Sequence, residues 1–119
     1  MTDSIFIMMI LIHFLADFGL QTHDQATNKS ISNKWLFYHV GVYSLIWFLA
    51  AFMLNDDWIK VLFFALVTFS CHFITDWLTS RIGKPFWEKK NLHDGFVVVG
   101  FDQVLHMIQL WLCIKYILL

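Results

Sequence analysis

The sequence predicts an all-α fold: a bundle of four transmembrane helices forming one domain over residues 1–119. Three observations predict it. Of the 119 residues, 59% are hydrophobic and only 14% charged, where a soluble domain averages roughly 45–50% apolar and about 25% charged. Mean hydropathy is +0.64. Four apolar segments approach or exceed the roughly 20 residues that cross a hydrocarbon core. None alternates apolar with polar residues, and runs of this length that must satisfy their own backbone in lipid are helices.

Taken in order, the predicted helices cover about 4–21, 35–54, 58–82 and 96–119. His13 and Asp17 interrupt the first, which inserts only where neighbouring helices shelter them. A polar loop, 22–34, leads to the second helix, with Ser32 or Asn33 as its cap. A short turn, Asn55-Asp56-Asp57, joins the second to the third. Gly83 and Pro85 end the third helix, since proline lacks the N–H that a continuing helix needs. A long third loop, 83–95, mixes bases and aromatics before the last helix. Cys71 and Cys113 lie in apolar runs without CxxC spacing, so they read as packing residues and not as a disulfide.

The bases set the expected orientation. Lys29, Lys34, Arg81, Lys84, Lys89 and Lys90 belong to or flank loops one and three, six of the eight Lys and Arg. The positive-inside bias therefore puts those loops in the cytoplasm and both termini outside. The expected location is a bacterial cytoplasmic (inner) membrane. A net charge of −1 gives no reason to expect a nucleic-acid partner; membrane lipid is the expected partner, and a homo-oligomer is compatible.

Within the apolar segments lie motifs that fit lipid poorly. His13-Phe14-Leu15-Ala16-Asp17-Phe18 is echoed by His72-Phe73-Ile74-Thr75-Asp76-Trp77, at a spacing of 59. Phe37, Val40 and Gly41 echo Phe96, Val99 and Gly100 at the same spacing, which suggests a tandem duplication of a helical hairpin. The last segment carries the pair reversed, Asp102 before His106. Histidine and aspartate four apart share one helix face. Because the last helix runs opposite to the first and third, the reversal restores one order: aspartates about 7–11 Å inside the cytoplasmic end, histidines about 6 Å deeper. An ionisable group at bilayer depth costs on the order of 2.5–3.5 kcal/mol, so three such pairs need a common purpose.

Imidazole nitrogen with carboxylate oxygen suits a divalent transition metal, zinc first, with iron, manganese, cobalt or nickel as alternatives. The candidate ligands are His13, Asp17, His72, Asp76, Asp102 and His106, enough for one crowded site or two bridged ions. The metal would also neutralise carboxylates that are costly to bury. His39, with Tyr43 four residues on, either joins the aspartate layer or binds substrate. Gln21, Ser80 and Arg81 continue the stripe toward the cytoplasm, and Lys89 and Lys90 lie where an anionic group would arrive. Without a metal, the same residues would form a polar network that fixes helix against helix.

With these residues in view, the chain resembles a bacterial family catalogued as domain of unknown function 3307. The likeness rests on HFLADF at the start, Asn28-Lys29-Ser30 and Asn33-Lys34-Trp35, HFITDW with Thr79-Ser80-Arg81, Phe86-Trp87-Glu88-Lys89-Lys90, and Gly100-Phe101-Asp102-Gln103 with Leu105-His106. It implies no activity. A looser resemblance, to membrane-bound metal-dependent hydrolases, implies His and Asp ligands on transmembrane helices and does not transfer position by position.

The functional expectation is a membrane-embedded, metal-dependent hydrolase of amphiphilic or lipid-like substrates near the cytoplasmic leaflet. Asp17, Asp76 and Asp102 are its catalytic candidates, one of them free as general base. The alternatives are metal-ion or proton transport, and a non-catalytic accessory subunit. The outer helix halves, such as 5–12 and 61–67, are almost wholly apolar, which disfavours a continuous pore.

Overall fold

The computed structural model describes residues 1–119 and is built from helices and short connections alone. Helix α1, Asp3–Phe14, continues as a π-helical turn, Leu15–Gly19. Helix α2, His23–Asn28, is short; α3 covers Asn33–Ala51 and α4 covers Trp58–Glu88. Helix α5, Leu92–Cys113, ends in a second π-helical turn, Ile114–Leu118. The long axis of the molecule is 47 Å, which the 31 residues of α4 fill at about 1.5 Å per residue.

Side-chain caps start four of these helices, α5 among them, where the Asn91 side chain accepts from the Asp94 N–H. Thr2 accepts from the Ile5 N–H, and Asp57 accepts from the Ile59 and Lys60 N–H groups. Thr22 and Gln25 form a reciprocal capping box on α2, which pairs two backbone donors left open at a helix start. Loop one is therefore part helix, an element that its polar composition hides. Ser32 precedes α3 without a side-chain cap bond, and the Asn33 amide oxygen accepts from Arg81 Nη2 at 2.7 Å across the bundle.

The expected stop at Gly83 and Pro85 does not occur. Helix α4 runs on to Glu88 with Pro85 inside it, so the long third loop shrinks to Lys89-Lys90-Asn91. Packing outweighs the missing N–H. Gly83 gives α4 close approach to Val98, and a Cβ added at Gly95 would lie 2.9 Å from the Trp87 ring. Trp87 also meets Phe96 edge-on at 5.2 Å. Keeping Trp87 on the helix closes this seam between α4 and α5. Lys90 takes the left-handed turn, φ 56°, and the Asn91 N–H returns to the Phe86 carbonyl at 2.8 Å, as helix C-termini commonly do.

Helix α4 is the centre of the packing, with α3 on one side and α5 on the other; α1 closes the bundle against α3 and α5. Loop one and the α4–α5 turn meet at one end. At the other, the Asn55 side chain donates to the Leu118 carbonyl at 2.7 Å. The apolar core sits toward that second end, around Trp47, Phe64, Val61, Leu110, Ile114 and Leu118.

Two helices are long and apolar enough to cross a membrane: Trp58–Glu88 and Leu92–Leu118. The expectation of four narrows accordingly. The first segment is only 12 residues of α-helix with a five-residue π turn, and α3 opens on Asn33-Lys34 and buries His39, Tyr43 and Ser44. The two hairpins are also unequal in length, so the correspondence at spacing 59 remains a sequence pattern. Large apolar side chains nevertheless dominate the outside: 36 are exposed, while twelve of the 26 buried residues are polar or charged.

Candidate metal centre

The aspartates and histidines of α1, α3, α4 and α5 converge at mid-bundle. On α4, His72 and Asp76 lie one turn apart and share an inward face, each 1% exposed. On α5, Asp102 and His106 do the same in reverse order, with His106 Nε2 3.2 Å from Asp102 Oδ2. Opposite helix directions thus bring matched layers into register, as the motif reversal predicts.

Helix α1 departs from this scheme for a local reason. Its π turn widens the backbone around Asp17, with the Leu20 N–H reaching back five residues to the Leu15 carbonyl, a feature that recurs at functional sites. Asp17 stays at the centre. His13 is turned aside: its Nδ1 is 3.0 Å from the Tyr43 hydroxyl and its Nε2 is 2.7 Å from Gln103 Oε1. His39 of α3 takes the vacated place, with Nε2 3.0 Å from Asp17 Oδ1 and 3.2 Å from Asp76 Oδ2.

The result is a tight set of donor atoms. His72 Nε2 lies 3.3 Å from Asp17 Oδ1, 3.7 Å from Asp76 Oδ2 and 3.3 Å from His39 Nε2. The donors of Asp17, His39, His72 and Asp76 all lie within 4.8 Å of one another, and a second such group joins Asp17, Asp102 and His106. Four ligands arranged tetrahedrally at about 2.0–2.1 Å from one ion would be about 3.3 Å apart. The measured separations bracket that value, and both groups could hold a metal ion.

Supporting contacts surround the donors. Tyr43 stacks on His72 at 3.8 Å, and His72 on His106 at 4.0 Å, so three rings from three helices form one column. Gln103 donates to Asp17 Oδ2 at 2.8 Å and Asp102 Oδ2 at 3.1 Å. Thr79 donates to Asp102 Oδ1 at 2.5 Å. Behind the stack, a cavity of about 10 Å³ is lined by Thr68, Cys71, Cys113 and Gln109 among others, and His72 Nδ1, His106 Nδ1 and Thr68 Oγ1 lack protein partners there. A site of that size holds one water, which would orient both imidazoles.

The centre opens into a cavity of about 600 Å³ at the end where loop one meets α4 and α5. Asp17, Asp76 and Asp102 form its floor; Phe18, Ile31, Trp87, Val98 and Val99 supply apolar wall. Gln21 and Ser80 line it as well, whereas Arg81, Lys89 and Lys90 do not. Arg81 lies over the Trp77 ring at 4.6 Å. The base that enters is Lys29, whose ammonium donates to Asp76 Oδ2 at 2.9 Å. Burial pulls its pKa down, but the Asp76, Asp17 and Asp102 carboxylates outweigh this and hold it above the ordinary lysine range. Its position at the end of the capped α2 could not be read from its sequence context. Gln103, beside Asp102 in a quoted motif, gave no separate signal.

The family model described as protein of unknown function (DUF3307) matches residues 5–119. The chain belongs to this family. No curated protein and no solved structure matches it. The DUF3307 match spans every residue of the centre.

Proposed function

We propose that this DUF3307 chain is a membrane-embedded, metal-dependent hydrolase of amphiphilic substrates. The observation that carries the metal is the set of near-tetrahedral separations among Asp17, His39, His72 and Asp76. Charge supports it. With the histidines neutral, as metal binding requires, three carboxylates and one ammonium, Lys29, sum to two negative charges, which a divalent cation neutralises. Zinc heads the candidates, with iron, manganese, cobalt or nickel suited to the same donors. The exposed apolar belt and the two long helices support residence in a bilayer, with loops one and three at the cytoplasmic face by the positive-inside bias.

A bound divalent ion supplies Lewis acidity and lowers the pKa of a water toward ~7. The residues here would do the rest. Asp17 and Asp76 would hold the ion from the cavity side, with His39 and His72 completing the set from behind. With a single ion held by the first donor group, Asp102, fixed by Thr79 and Gln103, would be placed to take a proton from an attacking water. Lys29 is placed beside Asp76 to receive an anionic group near the cavity floor, while the apolar wall takes a chain. The closed apolar core beyond His72 and His106 favours this over ion passage.

One observation favours a non-catalytic reading, in which the residues only fix helix positions: each oxygen of the three carboxylates already has a protein partner. Metal analysis of protein purified without chelator decides between them. The proposal expects bound transition metal, and turnover of labelled phosphoester, ester or amide amphiphiles by the loaded protein. Protein that takes up no metal on titration would overturn it.

A further inference from the structure

We propose that the centre is binuclear, with Asp76 and Asp17 bridging two ions. This rests on the metal-centre reading above and goes beyond it. The two oxygens of Asp76 face different histidines. Oδ2 lies with His39 and His72, at 3.2 and 3.7 Å, while Oδ1 is 3.0 Å from His106 Nε2. His106 Nε2 is in turn 3.2 Å from Asp102 Oδ2. Asp17 belongs to both donor groups, one with His39, His72 and Asp76, the other with Asp102 and His106. A single ion that takes the first group leaves His106, Asp102 and one oxygen of Asp76 together, buried and facing one point. A carboxylate that offers one oxygen to each of two such groups is the bridge of paired-metal hydrolytic sites, whose ions sit about 3.5–4 Å apart.

Charge then narrows the substrate. Three carboxylates and Lys29 sum to −2, so two divalent ions bring the site to +2. A phosphoryl dianion matches that charge; a neutral ester or amide does not. The shared chemistry is a phosphate monoester, presented either on a lipid or on a small soluble molecule.

The test is stoichiometry. Detergent-purified protein is stripped with chelator, titrated with Mn²⁺ and read by elemental analysis and electron paramagnetic resonance. Two ions per chain with a spin-coupled Mn²⁺ spectrum are expected. Asp102→Asn, which keeps the Thr79 contact, and His106→Gln should each bind one ion and lose the coupling. Saturation of the unaltered protein at one uncoupled ion would overturn the bridge while leaving a mononuclear centre intact, whereas no binding at all would overturn the metal reading itself. Inorganic phosphate and phosphatidic acid nanodiscs, each added to the two-ion form, should alter the coupled spectrum. A response to phosphate alone points to a soluble monoester, and a response to nanodiscs alone to a lipid. Silence with both overturns the dianion assignment.

Discussion

His39 Nε2 and His72 Nε2 face each other 3.3 Å apart from neighbouring helices, with an Asp17 oxygen within 3.3 Å of each. At most one of the two can donate to the other, and a shared cation satisfies both lone pairs. His39→Ala and His72→Ala should therefore each abolish metal retention, and Asp76→Asn should weaken it severely. His13→Ala, which removes support for Tyr43 and Gln103 and a longer 3.8 Å contact with Asp17, should cost about 10–100-fold in affinity, the usual effect of an outer contact. Competition with a chelating dye measures all four. Equal, complete loss in His13→Ala would return that residue to the ligand set.

Lys29 shares Asp76 Oδ2 with His39, so its ammonium competes with an ion for that oxygen. Lys29→Gln should bind metal as tightly as the parent or up to about 10-fold more tightly, since one charge contact of this kind is worth on the order of 1.4 kcal/mol. The same substitution should raise KM for an anionic amphiphile more than it lowers kcat. Weakened metal binding would instead make Lys29 a structural prop.

The glycines separate close packing from open space. Gly95→Ala would drive a Cβ to within 2.9 Å of the Trp87 ring and should destabilise by about 1–3 kcal/mol. At Gly41 and Gly100 nothing lies within 4 Å of an added Cβ, and alanine there should be neutral or stabilise by up to about 1 kcal/mol. Thermal melts in one detergent compare the three. An unchanged melt for Gly95→Ala would remove Trp87 as the reason that α4 continues past Pro85.

Topology is open to a direct measurement. A reporter fused after Leu119 should read as external, and one inserted near Lys89 as cytoplasmic. A cytoplasmic C-terminal reporter would invert the bundle and place the open cavity on the other face.

The helical class, the meeting of Asp17, Asp76 and Asp102, and the burial of His72 and His106 one turn from their aspartates were legible from the sequence. All follow from the 3.6-residue period and the reversed motif on α5. The role of His13 was not legible, because a π turn leaves no mark in a run such as Leu15-Ala16-Asp17-Phe18. Nor was the length of α4: local chemistry at Gly83 and Pro85 argued for a stop, and a tertiary contact, Trp87 on Gly95, overrode it. Lys29 was read through its charge alone. Which side chain it meets depends on α2, and six residues of polar helix carry no hydrophobic period to reveal them.

The ring column of Tyr43, His72 and His106 has a bearing on how anything enters. It locks α3, α4 and α5 to one another at the depth of the donors, so those helices offer a prearranged socket and little give. Residues 1–31 are attached differently: α1 lies along the edge of α3 and α5, and α2 rests on α3. Asp17, the donor common to both groups, rides on that amino-terminal quarter. Release from the socket would then require the quarter to move, with Lys29 as its latch, and a cross-link from it to α5 should slow exchange in both directions.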